Sequence, residues 1–234
     1  HQRPENAIEI PVSDDVLIGA KEFIVDTTGP AILFFHGNGE IVSDYDDIGE
    51  IYNKMGINFF PVDYRGYGLS TGSPTVSTMI DDAHYVFHYF VKWLDDKSIS
   101  GPKIVMGRSL GSASAIEIAS QYASSFDGLI IESGFSLAFP VLYTLGIPVS
   151  RLNLKDEKGL SNVVKIKKYN KPLLLIHAEN DHLLPYSNAE DLFETCSTEK
   201  KTLTKIPKAD HNTIFYYGLE EYMQSVAQFI QLLK

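Results

Sequence analysis

Cysteine occurs once in the 234 residues, at Cys196. A disulfide framework within the chain is therefore excluded, and redox chemistry does not restrict the compartment. Cys196 has no Cys or His neighbour at metal-ligand spacing, and its expected role is packing at a helix end. No run of 18 apolar residues exists, so no membrane-spanning helix is expected. No secretory leader pattern is visible. Cations are scarce: 20 Lys and Arg stand against 30 Asp and Glu, for a formal net charge of −10. That balance speaks against nucleic acid and against anionic membrane surfaces as partners. Repeats, low-complexity tracts and linker-like stretches are absent too, so residues 1–234 are expected to form one domain. The expected compartment is cytoplasmic, although the chain opens on His1 rather than Met, which leaves room for a removed leader or anchor.

What is present is an ordinary globular composition, 44% hydrophobic and 12% aromatic. A chain of this size buries roughly 70% of its unfolded surface. Its most informative stretch runs Lys103-Ile-Val-Met-Gly-Arg-Ser-Leu-Gly-Ser-Ala-Ser-Ala115. An apolar run stops at a glycine, and a helix-like run of small residues begins at Leu110. Between them lies Gly107-x-Ser109-x-Gly111, the pattern of a nucleophile elbow. A serine in that turn takes a positive φ, which a non-glycine residue disfavours. Small flanking residues let strand and helix approach. The hydroxyl then stands at the carboxyl end of a strand, beside the free N–H groups of a helix start.

Continuous apolar runs at Ala31–Phe35, Asn58–Val62, Gly128–Ile131 and Leu173–Ile176 read as strands buried on both faces, and Lys201–Ile206 as the last strand. Shorter strand segments read at Ala7–Ile10, Val16–Ile18 and Phe23–Val25. Apolar residues recur at helical spacing in three places: Tyr45 to Met55, Ile80 to Leu94, and Leu219 to Leu233. The alternation predicts an α/β class, a mostly parallel central sheet with right-handed crossovers and helices on both faces. Sites in such sheets lie at the carboxyl ends of strands. The one irregular piece, residues 133–170, is too apolar at its start for a bare loop and reads as a small lid insertion. Its aromatics Phe135, Phe139 and Tyr143 are candidates either for the wall of an acyl pocket or for packing between lid and sheet.

A serine hydroxyl needs an adjacent base held by a third group. Among seven histidines, His211 lies between the last strand and the last helix, at a strand end on the same side as Ser109. His36 heads a His-Gly-Asn-Gly turn and is expected to hydrogen-bond locally, and His177 to pack in the core. His84 and His88 share a helix face, but with no Glu at the metalloprotease position and no third ligand they are not expected to hold a metal. Acid candidates after the Leu173 strand are Glu179, Asp181 and Glu190, with Asp181 just past its strand. Leu110 N–H, directly after the nucleophile, is a candidate oxyanion donor. Arg65 and Arg108 invite a carboxylate-binding role, but ion pairs that brace loops are the simpler expectation. No cofactor is expected.

Five places together carry a resemblance to a known family: His36-Gly-Asn-Gly39, Asp63-Tyr-Arg-Gly-Tyr-Gly68, Gly107-x-Ser109-x-Gly111, Glu179-Asn-Asp-His-Leu-Leu-Pro185 and Ala209-Asp-His-Asn212. The chain resembles the α/β-hydrolase superfamily, whose triad runs Ser, Asp, His along the chain. The Asp-Tyr-Arg-Gly-Tyr-Gly run is similar to the small-lid branch of serine-aminopeptidase-like, monoacylglycerol-lipase-like and protein-depalmitoylase-like hydrolases. The acid loop of that family often has Gly before an acidic pair, where this chain has Ala178-Glu179-Asn180-Asp181. The resemblance implies Ser109, Asp181 and His211 as catalytic residues, with Asn38 N–H (Gly39 as the alternative) and Leu110 N–H as the oxyanion hole. It implies a serine hydrolase acting on a small-molecule acyl ester or thioester. The alternatives are an aminopeptidase-like amide hydrolase and a non-catalytic binding protein on the same fold.

Overall fold

The computed structural model describes residues 6–137 and 161–233. One continuous eight-stranded sheet runs through them, in the order β1-β2-β4-β3-β5-β6-β7-β8. Its strands are β1 (Ala7–Ser13), β2 (Val16–Lys21), β3 (Ala31–Phe35), β4 (Asn58–Val62), β5 (Lys103–Arg108), β6 (Gly128–Glu132), β7 (Leu173–Ala178) and β8 (Lys201–Ile206). The pairs from β4 across to β8 are parallel, while β1–β2 and β2–β4 are antiparallel.

The sequence accounts for this arrangement. All residues of β3, β4, β6 and β7 are buried, as interior strands covered on both faces require. Successive side chains go to opposite faces: Ile32 and Phe34 join one core, Leu33 and Phe35 the other. Helices α1 (Asp46–Lys54) and α6 (Ile214–Gln231) cover the first face through Tyr52, Tyr222, Val226 and Phe229. Helices α2 (Val76–Asp96), α3 (Gly111–Tyr122) and α5 (Ser187–Thr195) cover the second, with the short α4 (Asn162–Ile166) against α3. The start of α2 is set by a reciprocal cap: Thr78 N–H donates to Thr75 Oγ1 and Thr75 N–H to Thr78 Oγ1, both at 3.0 Å. Cys196 caps the end of α5, buried and unpaired with any other cysteine, as its position suggested.

The order reverses at β3: β4 lies on one side of it and β5 on the other. Chain leaving β3 and chain leaving β5 therefore part around a crevice at the carboxyl edge of the sheet, where ligands bind in open α/β sheets. The His36–Gly39 turn and Ser109 stand at that crevice.

Two sequence expectations change. The first strands are longer than their apolar segments: β1 runs to Ser13 through Pro11, which an edge strand tolerates. Beyond β2, Phe23 makes only an isolated bridge to Phe59. The lid aromatics divide. Phe139 and Tyr143 lie outside the described residues, whereas Phe135 is 1% exposed and belongs to the core beneath α3. Its N–H reaches Ser112 Oγ at 3.5 Å, and its carbonyl accepts from Asn162 Nδ2 at 2.9 Å. Phe135 is thus a packing residue rather than a pocket wall. Phe135→Ala should cost about 3–5 kcal/mol and lower Tm by roughly 10 °C. Any acyl-chain preference should stay where it was. Thermal unfolding and an ester series on the same preparation check both statements.

Candidate active site

The elbow is built by exclusion of side chains. A Cβ on Gly107 would lie 2.4 Å from the Gly111 carbonyl oxygen, and one on Gly111 would lie 2.1 Å from that of Phe35. Only glycine fits at either place, so the pattern is a packing requirement of β5, α3 and β3 meeting. Ser109 between them has φ of 50°. Such a left-handed non-glycine conformation costs of order 1–3 kcal/mol and is held by its surroundings. Ser109 N–H donates to Glu132 O on β6 at 2.9 Å, and Ser112 Oγ to Ser109 O at 2.6 Å.

Against the Ser109 hydroxyl, the loop after β8 presents His211. Its Nε2 lies 2.9 Å from Ser109 Oγ, and its Nδ1 lies 2.6 Å from Asp181 Oδ2. The other oxygen of Asp181 accepts Leu183 N–H at 3.0 Å and Leu184 N–H at 2.8 Å. Burial alone would raise the Asp181 carboxyl, but the His211 hydrogen bond and charge, with the Leu184 N–H, outweigh it and hold it below its ordinary value. His177 stands 3.6 Å from the same carboxylate and donates its Nε2–H to Leu184 O at 2.7 Å. Burial pushes its pKa down, against the Leu184 hydrogen bond and the Asp181 charge.

The other acid and base candidates are elsewhere. Glu179 accepts Lys208 N–H at 3.0 Å at the surface. His36 is buried and faces Gly37 O at 2.7 Å. His84 reaches Tyr122 Oη at 2.9 Å and Glu117 at 3.4 Å. Arg65 forms a two-point pair with Asp82 at 2.6 and 2.7 Å, a brace for its loop.

The two proposed oxyanion residues, Asn38 and Leu110, line one cavity. No described residue accepts from Leu110 N–H or Asn38 N–H. The Asp63–Gly68 motif turns out to support them. Tyr64 Oη donates to His36 O at 2.6 Å, and Tyr67 Oη to Asn38 Oδ1 at 2.9 Å. Asp63 accepts Val42 and Leu69 N–H, both at 2.9 Å. Gly68 has φ of 47°, and a Cβ there would lie 2.2 Å from Asp63 Oδ2. Beside Leu110 and Asn38 opens a cavity of about 270 Å³, walled by Tyr64, Tyr67, Val76 and Met79, with Arg65 the one charged lining residue among the described residues. Among the described residues the wall comes from the β4–α2 connection and the start of α2, while the lid candidates Phe139 and Tyr143 lie outside them.

Behind His211 lies Arg108, expected from the sequence to brace loops through ion pairs, and it does so. Arg108 is 8% exposed. Its Nε donates to Glu132 Oε1 at 3.0 Å, its Nη1 to Glu40 Oε1, and its Nη2 to the His211 carbonyl at 2.9 Å. Burial opposes the charge on Arg108, but Glu132, Tyr45 and Glu40 outweigh it and raise the guanidinium pKa.

A sheet in this order, with a strained serine after β5, an acid after β7 and a histidine after β8, defines the α/β-hydrolase fold. The chain belongs to the serine aminopeptidase S33 family, whose profile matches residues 26–143. It is 30% identical to protein bem46 of Schizosaccharomyces pombe over 86% of this chain and 67% of that protein. It is 29% identical to human alpha/beta hydrolase domain-containing protein 17B over 85% of this chain and 65% of that one. The chain thus spans about two thirds of the length of these relatives. Among solved structures it is similar to a soluble variant of monoglyceride lipase from Saccharomyces cerevisiae in complex with a substrate analogue. The TM-score is 0.76 at 16% identity, covering 98% of this chain and 96% of that one. The protein is accordingly a hydrolase by family. No helix among the described residues is long and apolar enough to cross a membrane.

Proposed function

We propose that this hydrolase cleaves a carboxylic ester or thioester through a Ser109–His211–Asp181 triad and an acyl-enzyme intermediate. The observation that carries the reading is the hydrogen-bonded line Asp181–His211–Ser109, at 2.6 and 2.9 Å, with Leu110, the residue after Ser109, lining the apolar cavity. In the proposed cycle, Ser109 Oγ attacks the acyl carbonyl carbon while His211 Nε2 takes its proton. The carbonyl oxygen gains negative charge and is received by Leu110 and Asn38 N–H, each donor being worth about 3–4 kcal/mol when removed. His211 returns the proton to the leaving oxygen or sulfur. Water, deprotonated by the same imidazole, then releases the acid and restores Ser109. Asp181 orients the ring and stabilises its cationic form.

The ester preference rests on the cavity wall. An aminopeptidase must receive a substrate ammonium group, and a carboxylate suits that charge. The described wall supplies none: its single charge is the cation of Arg65, already paired with Asp82. A monoglyceride lipase among the structural neighbours belongs to the ester-cleaving class.

The test is a p-nitrophenyl ester series. At about 270 Å³ the cavity is small among ligand pockets, which run from roughly 300 to 1,000 Å³. Each methylene buried in it should add about 0.8 kcal/mol, roughly fourfold in kcat/KM, until it is full. The series should therefore climb, peak at short to medium chains and fall. Val76→Phe, which fills the cavity from its wall, should shift the peak to shorter chains. Flat chain-length dependence with efficient cleavage of aminoacyl amides would favour the amide-hydrolase reading. No turnover and no covalent labelling by a fluorophosphonate would favour the binding protein.

A further inference from the structure

We infer that Arg108 is a positioning residue for His211, holding the base from behind while Asp181 holds it by its ring. The inference rests on the triad reading above. It draws on a buried charge cluster which that reading leaves unused.

The three donor directions of the guanidinium go to three different segments. Nη2 donates to the backbone carbonyl of His211 at 2.9 Å, with Asn212 Oδ1 at 3.5 Å. Nε donates to Glu132 on β6, and Nη1 to Glu40 in the chain after β3. Both carboxylates are themselves anchored by their second oxygens. Glu132 Oε2 accepts from Tyr222 Oη at 2.8 Å. Glu40 Oε2 accepts Gly37 N–H at 2.6 Å and Tyr45 Oη at 2.5 Å. Gly37 immediately precedes Asn38 of the oxyanion turn, and Arg108 immediately precedes Ser109. One side chain therefore ties together the oxyanion turn, the elbow strand and the base loop. Asp181 controls the rotation of the imidazole but not where the His211 backbone sits. The Arg108–carbonyl bond controls the backbone.

Only the planar fork can do this. Lysine would keep the charge but offers a point donor on a flexible stem, without the fixed divergence of three N–H directions. The cluster is also separate from the substrate side. A surface cavity of about 310 Å³ opens onto Arg108, Glu40, Glu132 and Asn212, and it shares no lining residue with the cavity beside Leu110. Loss of the clamp should therefore act on turnover and leave substrate binding alone.

The experiment uses the whole chain with a good ester substrate. Arg108→Lys should lower kcat by roughly 30- to 100-fold, the size expected for a misplacement of about 1 Å at a catalytic group, with KM within about twofold. Because removing the guanidinium strands Glu132 as a buried unpaired carboxylate, a fold-preserving variant is needed. The double variant Arg108→Met/Glu132→Gln removes both charges together. It should recover the Tm that Arg108→Met loses, yet keep the kcat defect. Arg108→Ala should regain roughly tenfold of its lost kcat with tens of millimolar guanidinium, which enters through the 310 Å³ cavity. Methylammonium at the same ionic strength should not rescue it.

A readout without turnover separates this inference from the proposed function. The short Nδ1–H bond of His211 to Asp181 should give a strongly deshielded proton resonance in the parent protein. It should broaden or move upfield in the double variant. If the parent protein neither cleaves esters nor reacts with a fluorophosphonate, the proposed function fails, and the resonance alone decides on the clamp. An unchanged resonance in the double variant, kcat within twofold of the parent, or a loss confined to KM would each overturn it.

Discussion

Ser109→Ala should abolish fluorophosphonate labelling and lower kcat for ester hydrolysis by roughly 10⁴- to 10⁶-fold, leaving only what the oxyanion donors and binding supply. The size follows from the division of labour at the site. No other described hydroxyl lies on His211 Nε2, so no second nucleophile can take over the same base. Folding should survive and even gain. The residue at 109 has φ of 50°, a strain alanine shares, but the substitution removes a buried hydroxyl. The Ser109 backbone bonds, from its N–H to Glu132 O and from Ser112 N–H to its carbonyl, remain. Labelling with mass-spectrometric site assignment is the check. A labelled serine elsewhere, with Ser109→Ala fully active, would remove the triad proposal.

The legible part of this protein is the part written in short stretches. The elbow reads from Gly107 and Gly111 because the clashes that demand glycine arise within five residues of chain and one neighbouring strand. Asp181 read because it follows the apolar run of β7, whose buried residues announce its end, and His211 because it lies between the last strand and the last helix. The partners of Arg108 did not read. Sheet register sets Arg108 opposite Glu132 across β5 and β6, and the connection after β3 brings Glu40 to it. No spacing rule links positions on neighbouring parallel strands. The described cavity wall was missed for a related reason. The β4–α2 connection carries turn residues, Thr71-Gly-Ser-Pro74, with no period to mark a function. Its role follows from the reversal of strand order at β3, a property of the whole sheet. What did read there was the Asp63–Gly68 motif, although its physical content, bracing the oxyanion turn through Tyr64 and Tyr67, needs the folded contacts.

Asp181→Asn should lower kcat by about 10⁴-fold while the protein stays folded. The argument turns on which way the new amide faces. Asp181 Oδ1 accepts two backbone N–H groups, from Leu183 and Leu184, at 3.0 and 2.8 Å. An asparagine must keep its carbonyl oxygen there, since its NH₂ group would meet two donors. The NH₂ is then turned toward His211 Nδ1, where Asp181 Oδ2 now sits at 2.6 Å. That nitrogen must become an acceptor, so the proton moves to Nε2, the atom facing Ser109. The imidazole then meets the serine as a donor and cannot take its proton. Substrate binding is untouched, because Asp181 lines neither side of the 270 Å³ cavity, so KM should change little. A second signature is thermodynamic. Folding holds the Asp181 carboxyl below its ordinary pKa of 3.8, so its contribution to stability is complete above that value. It is lost as pH falls through the lower, folded value. Asp181→Asn should therefore flatten the acid end of a Tm–pH profile and leave the slope elsewhere unchanged. Activity within tenfold of the parent would mean that another acid orients the ring. Glu179, engaged with Lys208 N–H at the surface, would have to leave that bond to do so.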